Sequence, residues 1–143
     1  LTRNFLIFFL FIFVTSFIEL QSNNASGLTI ATCEETKYDA YTFQVNDLAI
    51  PPKTCFYLKK TTFMGADESW FGEIFFSSKL DKNSVYYYFK EHMPNKGWNL
   101  ISEQQGALEA FLFYEKDRRV AIIDIDKKDY MSEFTINVRP IKQ

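Results

Sequence analysis

Two stretches near the C-terminal end alternate with period two. In VAIIDID, Ala121, Ile123 and Ile125 oppose Val120, Ile122 and Asp124; in FTINVR, Phe134, Ile136 and Val138 oppose Thr135, Asn137 and Arg139. Successive side chains of a strand point to opposite faces, so both stretches read as β-strands. The second divides cleanly into an apolar and a polar set, as a sheet with one covered and one wet face requires. Gln105-Gly106 joins strand candidates 98–103 and 108–115, Lys116-Asp117 leads into 118–126, and KKDYMS leads into 133–139. Connections this short join antiparallel neighbours, because a parallel pair needs a crossover of a dozen residues or more.

Upstream, CFYLKKTTFM reads as a strand, GADE as a turn and SWFGEIFFSS as the partner strand. In that partner Trp70, Gly72, Ile74 and Phe76 share one face and Phe71, Glu73 and Phe75 the other. Both faces are fairly apolar, which suits a central strand. One helix is expected, over 82–93, capped by Asp81 or Asn83. Val85, Tyr88, Phe89, His92 and Met93 follow the 3.6-residue spacing and are expected to face the sheet, leaving Tyr86, Tyr87, Lys90 and Glu91 on or near the outer side. Pro94 and Gly97 stop the helix and turn the chain. The order β-β-α-β-β-β-β specifies an α+β domain of two layers, a mainly antiparallel sheet covered by one amphipathic helix. Residues 28–54 read as an irregular lead-in with a short strand near 41–45. Pro51-Pro52 marks the start of the compact domain, placed at 55–140.

At the other end, NFLIFFLFIFVTSFIELQSNNASG holds an uncharged apolar run over 5–18, 14 residues long. As a helix this run spans roughly 21 Å, short of a bilayer core of about 30 Å. Arg3, the apolar run and the polar QSNNASG match the three regions of a secretory signal, with Ala25 and Gly27 placed for a cut before Leu28. Segment 1–27 is therefore expected to be a signal peptide, or else an uncleaved N-terminal anchor and membrane tether. Cys33 has two readings, a disulfide with Cys55 or a lipidated residue. Two cysteines in an exported chain favour the disulfide. Thr32 and the polar stretch before it make a poor lipidation signal.

The chain carries 16 basic and 18 acidic residues, a net charge of −2. Removing the leader, which contains Arg3 and Glu19, leaves that balance unchanged, so the composition argues against nucleic acid as a partner. Chemistry is sparse. His92 is the sole histidine and sits beside Phe89 and Met93, where a structural role is expected. No nucleophile-elbow, zinc-protease or phosphate-loop motif occurs. Two cysteines and one histidine lack metal-ligand spacing. Asp124 and Asp126 share a strand face and resemble a carboxylate pair, but a solvated strand end beside Lys127 and Lys128 is the simpler reading, and DIDKKD is read as a turn. No cofactor is expected. In the run Tyr86-Tyr87-Tyr88 one helix cannot bury all three rings, so Tyr86, Tyr87 and Glu91 are the expected interaction surface. Trp98 is read as core rather than as a binding anchor.

The run from Val85, VYYYFKEHMPNKGWNLISEQQGALEAFLFYEK, with FTINVRP after it, resembles a group of small bacterial envelope lipoproteins of uncharacterised function. Their pattern, YF-x3-MP-x2-GW-x-L followed by a hairpin bearing L-x-F-x-K, matches here at Tyr88, Phe89, Met93, Pro94, Gly97, Trp98, Leu100, Leu112, Tyr114, Lys116 and Pro140. The resemblance covers roughly 48–140 and departs from the group at the lipidation signal. It implies an exported protein of the periplasm or the membrane-associated envelope. Together these readings lead to a non-enzymatic protein that contacts another envelope protein. The alternative is a small-ligand module with a pocket between helix and sheet around Tyr88 and Trp98.

Overall fold

The computed structural model describes residues 29–30, 32–33, 43–44, 46–65 and 67–141. The expected leader over 1–27 lies outside them. The elements are β1 (Thr29–Ile30), β2 (Phe43–Gln44), β3 (Thr54–Phe56), β4 (Thr62–Met64), β5 (Phe71–Ser78), α1 (Lys82–His92), β6 (Asn99–Gln105), β7 (Glu109–Lys116), β8 (Arg119–Lys127) and β9 (Ser132–Pro140). β3 to β9 form one seven-stranded sheet in the order β3-β5-β9-β8-β7-β6, with β4 also on β5. Every strand pair is antiparallel, and with α1 this is an α+β fold. β1 and β2 pair separately.

The turns behave as their residues dictate. Asp117 has φ 54° in the tight β7–β8 connection, a conformation that Asp tolerates better than most residues. β5 is central, between β3 and β4 on one side and β9 on the other. The strand expected over 55–64 is in fact two. A single 3-10 turn at Leu58–Lys60 interrupts it, and β3 and β4 pair with opposite ends of β5. The interruption leaves few β5 groups unanswered: Tyr57 N donates to Phe75 O at 2.9 Å, and Phe75 N donates to Thr61 Oγ1 at 3.4 Å. Gly72, at φ 146°, lies so close under the Thr62–Phe63 backbone that a Cβ would collide with it.

α1 is capped by Asp81, whose Oδ1 accepts from Ser84 N at 3.0 Å. The Ser84 hydroxyl, and then its backbone N–H, hold the Asp81 carboxyl below its ordinary value. Pro94 begins a 3-10 turn and Gly97 takes φ 84°, as MPNKGW requires. The helix is rotated from the expected face. Its buried stripe is Lys82, Val85, Tyr86 and Phe89, continued by Met93, whereas Tyr88 and His92 are only half-buried. Two flanking polar groups account for the rotation. Tyr86 Oη donates to Glu103 on β6 at 2.8 Å, and Lys82 Nζ donates to Gly106 O at 2.7 Å. A stripe centred on Val85 and Phe89 suits either Tyr86 or Tyr88, and partners from a distant strand decide between them.

Under α1 lie Ile74 and Phe76 of β5, Leu112 and Tyr114 of β7, Ala121, Ile123 and Ile125 of β8, and Phe134, Ile136 and Val138 of β9, all buried. Phe89 meets Phe134 edge-on at 5.3 Å between ring centroids. Full burial of each large side chain contributes about 1.5–3 kcal/mol. The stretch before residue 55 reaches further into the domain than expected: Asp47, Leu48, Ala49 and Ile50 are buried in the same core. Asp47 anchors them. Its Oδ1 accepts from Trp70 Nε1 at 2.8 Å, its Oδ2 from Arg119 Nη2 at 2.7 Å, and its carbonyl O from Trp98 Nε1 at 2.6 Å. The Arg119 guanidinium lies over the Trp98 ring at 5.2 Å.

Candidate interaction face

Inward parity on the strands places a second set of side chains on the side away from α1. β9, β8 and β7 are in register throughout, so these side chains form rows across the sheet. One row runs Phe113–Ile122–Asn137–Glu73 and the next Phe111–Asp124–Thr135–Phe75. The third runs Glu109–Asp126–Glu133. Phe71 and Phe111 are 38% and 36% exposed; Phe75, Phe113 and Ile122 are half-buried. The single α-helix among the described residues lies on the opposite side of the sheet.

The third row sets three carboxylates directly opposite one another, with neighbouring strands about 4.8 Å apart. Like charges so placed are destabilising. Lys128 Nζ offsets part of this, at 3.5 Å from Asp126 and 3.6 Å from Glu133, and Tyr57 Oη donates to Glu133 at 3.3 Å. No ion pair among the described residues reaches Glu109 or Asp124. Desolvation, then Asp126 and Glu109, raise the Asp124 pKa above its ordinary value. Asp124 is also the shared wall of two hollows. One, of about 330 Å³, is lined by Gln104, Glu109 and Phe111; the other, of about 160 Å³, by Tyr57, Phe75, Asp126, Glu133 and Thr135.

The residues singled out from the sequence are placed otherwise. Tyr86 is 4% exposed and belongs to the core side, so the expected surface of Tyr86, Tyr87 and Glu91 loses its first member; Tyr87, 58% exposed, and Glu91 remain outside. Glu103 is held below the usual carboxylate range by Lys90 and Tyr86. This cluster ties α1 to β6. His92 is half-buried, its ring stacked on Tyr88 at 4.1 Å and its Nδ1 2.9 Å from Tyr88 O. Trp98 is fully buried, as expected. Asp124 and Asp126 lie exposed near the end of β8, the solvated strand end expected of them, whereas DIDKKD is not a turn throughout, because β8 continues to Lys127.

Cys33 and Cys55 form a disulfide with Cα atoms 5.0 Å apart. With its sulfur bonded to Cys55, Cys33 has no thiol for a lipid thioether, which removes the lipidation reading. The disulfide fits an oxidising, exported setting. No described helix is long and apolar enough to cross a membrane, and no group of three or more His, Cys, Asp or Glu side chains among the described residues converges to hold a metal.

Sequence reasoning missed the Asp47 anchor and the carboxylate row. The alternation of 118–126 sets Arg119 on one face with Ala121, Ile123 and Ile125, a signal that could have flagged a buried charge; its partner Asp47, 72 residues away, carries no such signal. Register across β7, β8 and β9 is likewise invisible before the strands are paired. No family model matches the chain, and neither does a curated protein or a solved structure.

Proposed function

We propose that the chain is an exported, non-enzymatic bacterial envelope protein of the periplasm or membrane surface, built as a two-layer α+β domain, whose task is to hold a protein partner on the open face of its sheet. One observation carries this reading: Phe111, Phe113 and Ile122 on β7 and β8, and Phe71 and Phe75 on β5 beyond β9, stay partly exposed on the face that the helix does not cover. Aromatic rings grouped in this way are typical of contact surfaces. The face takes over the role first assigned to Tyr86, Tyr87 and Glu91. The disulfide supports export, and the resemblance to envelope lipoproteins agrees with that compartment. A ligand pocket around Tyr88 and Trp98 has less support, because Trp98 is sealed and its indole N–H is engaged by Asp47.

The test is site-directed photocrosslinking in the native envelope, with a photoreactive residue at Phe111 and a second at Tyr87. A discrete crosslinked band from position 111, and none from 87, is the expected result. A band from 87 alone returns the contact to the helix. Crosslinks from neither position defeat the reading. Intact mass of the same preparation reports leader removal and the disulfide together.

A further inference from the structure

The open face is not neutral. It grades along the strands from the row Phe113–Ile122–Asn137–Glu73, apolar on β7 and β8 and with Glu73 engaged by Asn137, through the mixed row Phe111–Asp124–Thr135–Phe75, to the acidic row Glu109–Asp126–Glu133. The acidic row extends across three strands, so its ends are roughly 10 Å apart. Such an arrangement costs the fold stability, since like charges stand in register. Among the described residues only Lys128 forms ion pairs with the row, at 3.5 and 3.6 Å, and Lys60 lines the smaller hollow beside Asp124 and Asp126 without pairing to either.

We propose, building on the contact reading above, that the occupant of this face is a cationic polypeptide segment of a partner protein, with two or three Lys or Arg side chains set among apolar ones. Its cations meet Asp124, Asp126 and Glu109, and its apolar side chains lie against Phe111, Phe113 and Phe75. The exposed rings also offer faces for arginine, which interacts favourably with an aromatic ring at close range. The two hollows that share Asp124 as a wall give successive side chains separate seats.

Charge and geometry argue against the other occupants. A single divalent cation needs carboxylates that converge, and among the described residues none do so; these are spread along a row. A second copy docking through the same face adds its own acidic row to this one, offset only by the few cations that the face carries, Lys60, Lys128 and Arg139. A nucleic acid would meet its own charge.

The experiment uses the oxidised protein purified from its native envelope. Fluorescence anisotropy follows binding of a labelled peptide of roughly eight residues, about 26 Å when extended, that alternates arginine and leucine. Glutamate-leucine and serine-leucine peptides of the same length serve as controls. The wild type is expected to bind the arginine peptide selectively and more weakly as salt screens the charges. The double variant Asp124→Asn/Asp126→Asn is expected to bind it about tenfold less tightly while melting at a higher temperature. A purely structural role for these aspartates moves both readings the same way, so the opposed changes are diagnostic.

Unchanged affinity in the double variant overturns the proposal, as does a lower melting temperature. So does a rise in melting temperature of the wild type with calcium chloride alone, or self-association by sedimentation that the double variant abolishes. Equal binding of the serine-leucine peptide by both proteins overturns the charge assignment but leaves the contact reading standing. Failure of the Phe111 crosslink removes the contact reading itself.

Discussion

The two faces of the same sheet follow opposite rules. Beneath α1, charged groups are matched: Asp47 is met by Arg119 and Trp70, Lys82 by the Gly106 carbonyl, Glu103 by Lys90 and Tyr86. On the other side, three carboxylates stand in register and aromatic rings stay half in water. A chain under selection for stability alone has simple remedies, such as lysine in place of Asp126. On the proposed reading a cationic partner supplies what Lys128 alone does not. The covered face shows how closely this chain can match its polar groups where it must.

The contrast can be broken most forcefully at the covered face. Arg119→Met leaves the Asp47 carboxylate buried without its cation and is expected to cost about 3–5 kcal/mol, read by chemical denaturation of the oxidised protein. Removing the disulfide with Cys33→Ser and Cys55→Ser is expected to cost about 3 kcal/mol in the same assay. One group departs from the rule of matched partners. Tyr114 Oη is buried with no hydrogen-bond partner, and burial, reinforced by Glu103 and Tyr86, drives its pKa upward. Tyr114→Phe is therefore expected to be neutral or to stabilise by up to about 1 kcal/mol; a clear loss would reveal a partner such as a bound water. On the open face, Phe111→Ser is expected to change stability by less than about 1 kcal/mol, within the range of cross-strand pair effects.

The smallest expected effect is a pH signature. Asp124 is raised in the folded state, so in the window between its ordinary and raised values the native protein binds more protons than the unfolded chain. Falling pH through that window relieves a penalty present at neutrality. Asp124→Asn should therefore melt higher than wild type at pH 7, with the gap closing as pH falls to the ordinary carboxylate range. Asp81 and Glu103 are lowered, so their stabilisation is present above the ordinary carboxylate range and is lost only as pH falls through their depressed values. The two regimes separate on the pH axis in differential scanning measurements.

Much of the architecture was legible because it is local. Period two in 118–126 and 133–139 located β8 and β9 and their inward residues, and MPNKGW located the helix stop. The split of 55–64 into β3 and β4 was not legible, since the Leu58–Lys60 turn carries neither Gly nor Pro, and its flanking residues Tyr57 and Thr61 both find their partner in Phe75 of β5. The rotation of α1 by one tyrosine depended on Glu103. The contact face was half legible: alternation separated Phe75 from Ile74 and Phe76, and Asp124 from Ile123 and Ile125, without saying which set meets the core, and the row formed by Glu109, Asp126 and Glu133 exists only once β8 pairs with both β7 and β9.

The disulfide has a consequence beyond loop closure. Cys33 N donates to Phe56 O at 2.9 Å, and Thr32 bridges Phe56 in parallel, so the sulfur link fastens a short piece of chain along the outer margin of β3. At the far margin, β6 breaks register between Leu100 and Ser102, which spoils it as a template. Unprotected margins of this kind recruit further chains into fibrils. Reduction is expected to loosen this cover and leave the outer edge of β3 free to pair with another chain.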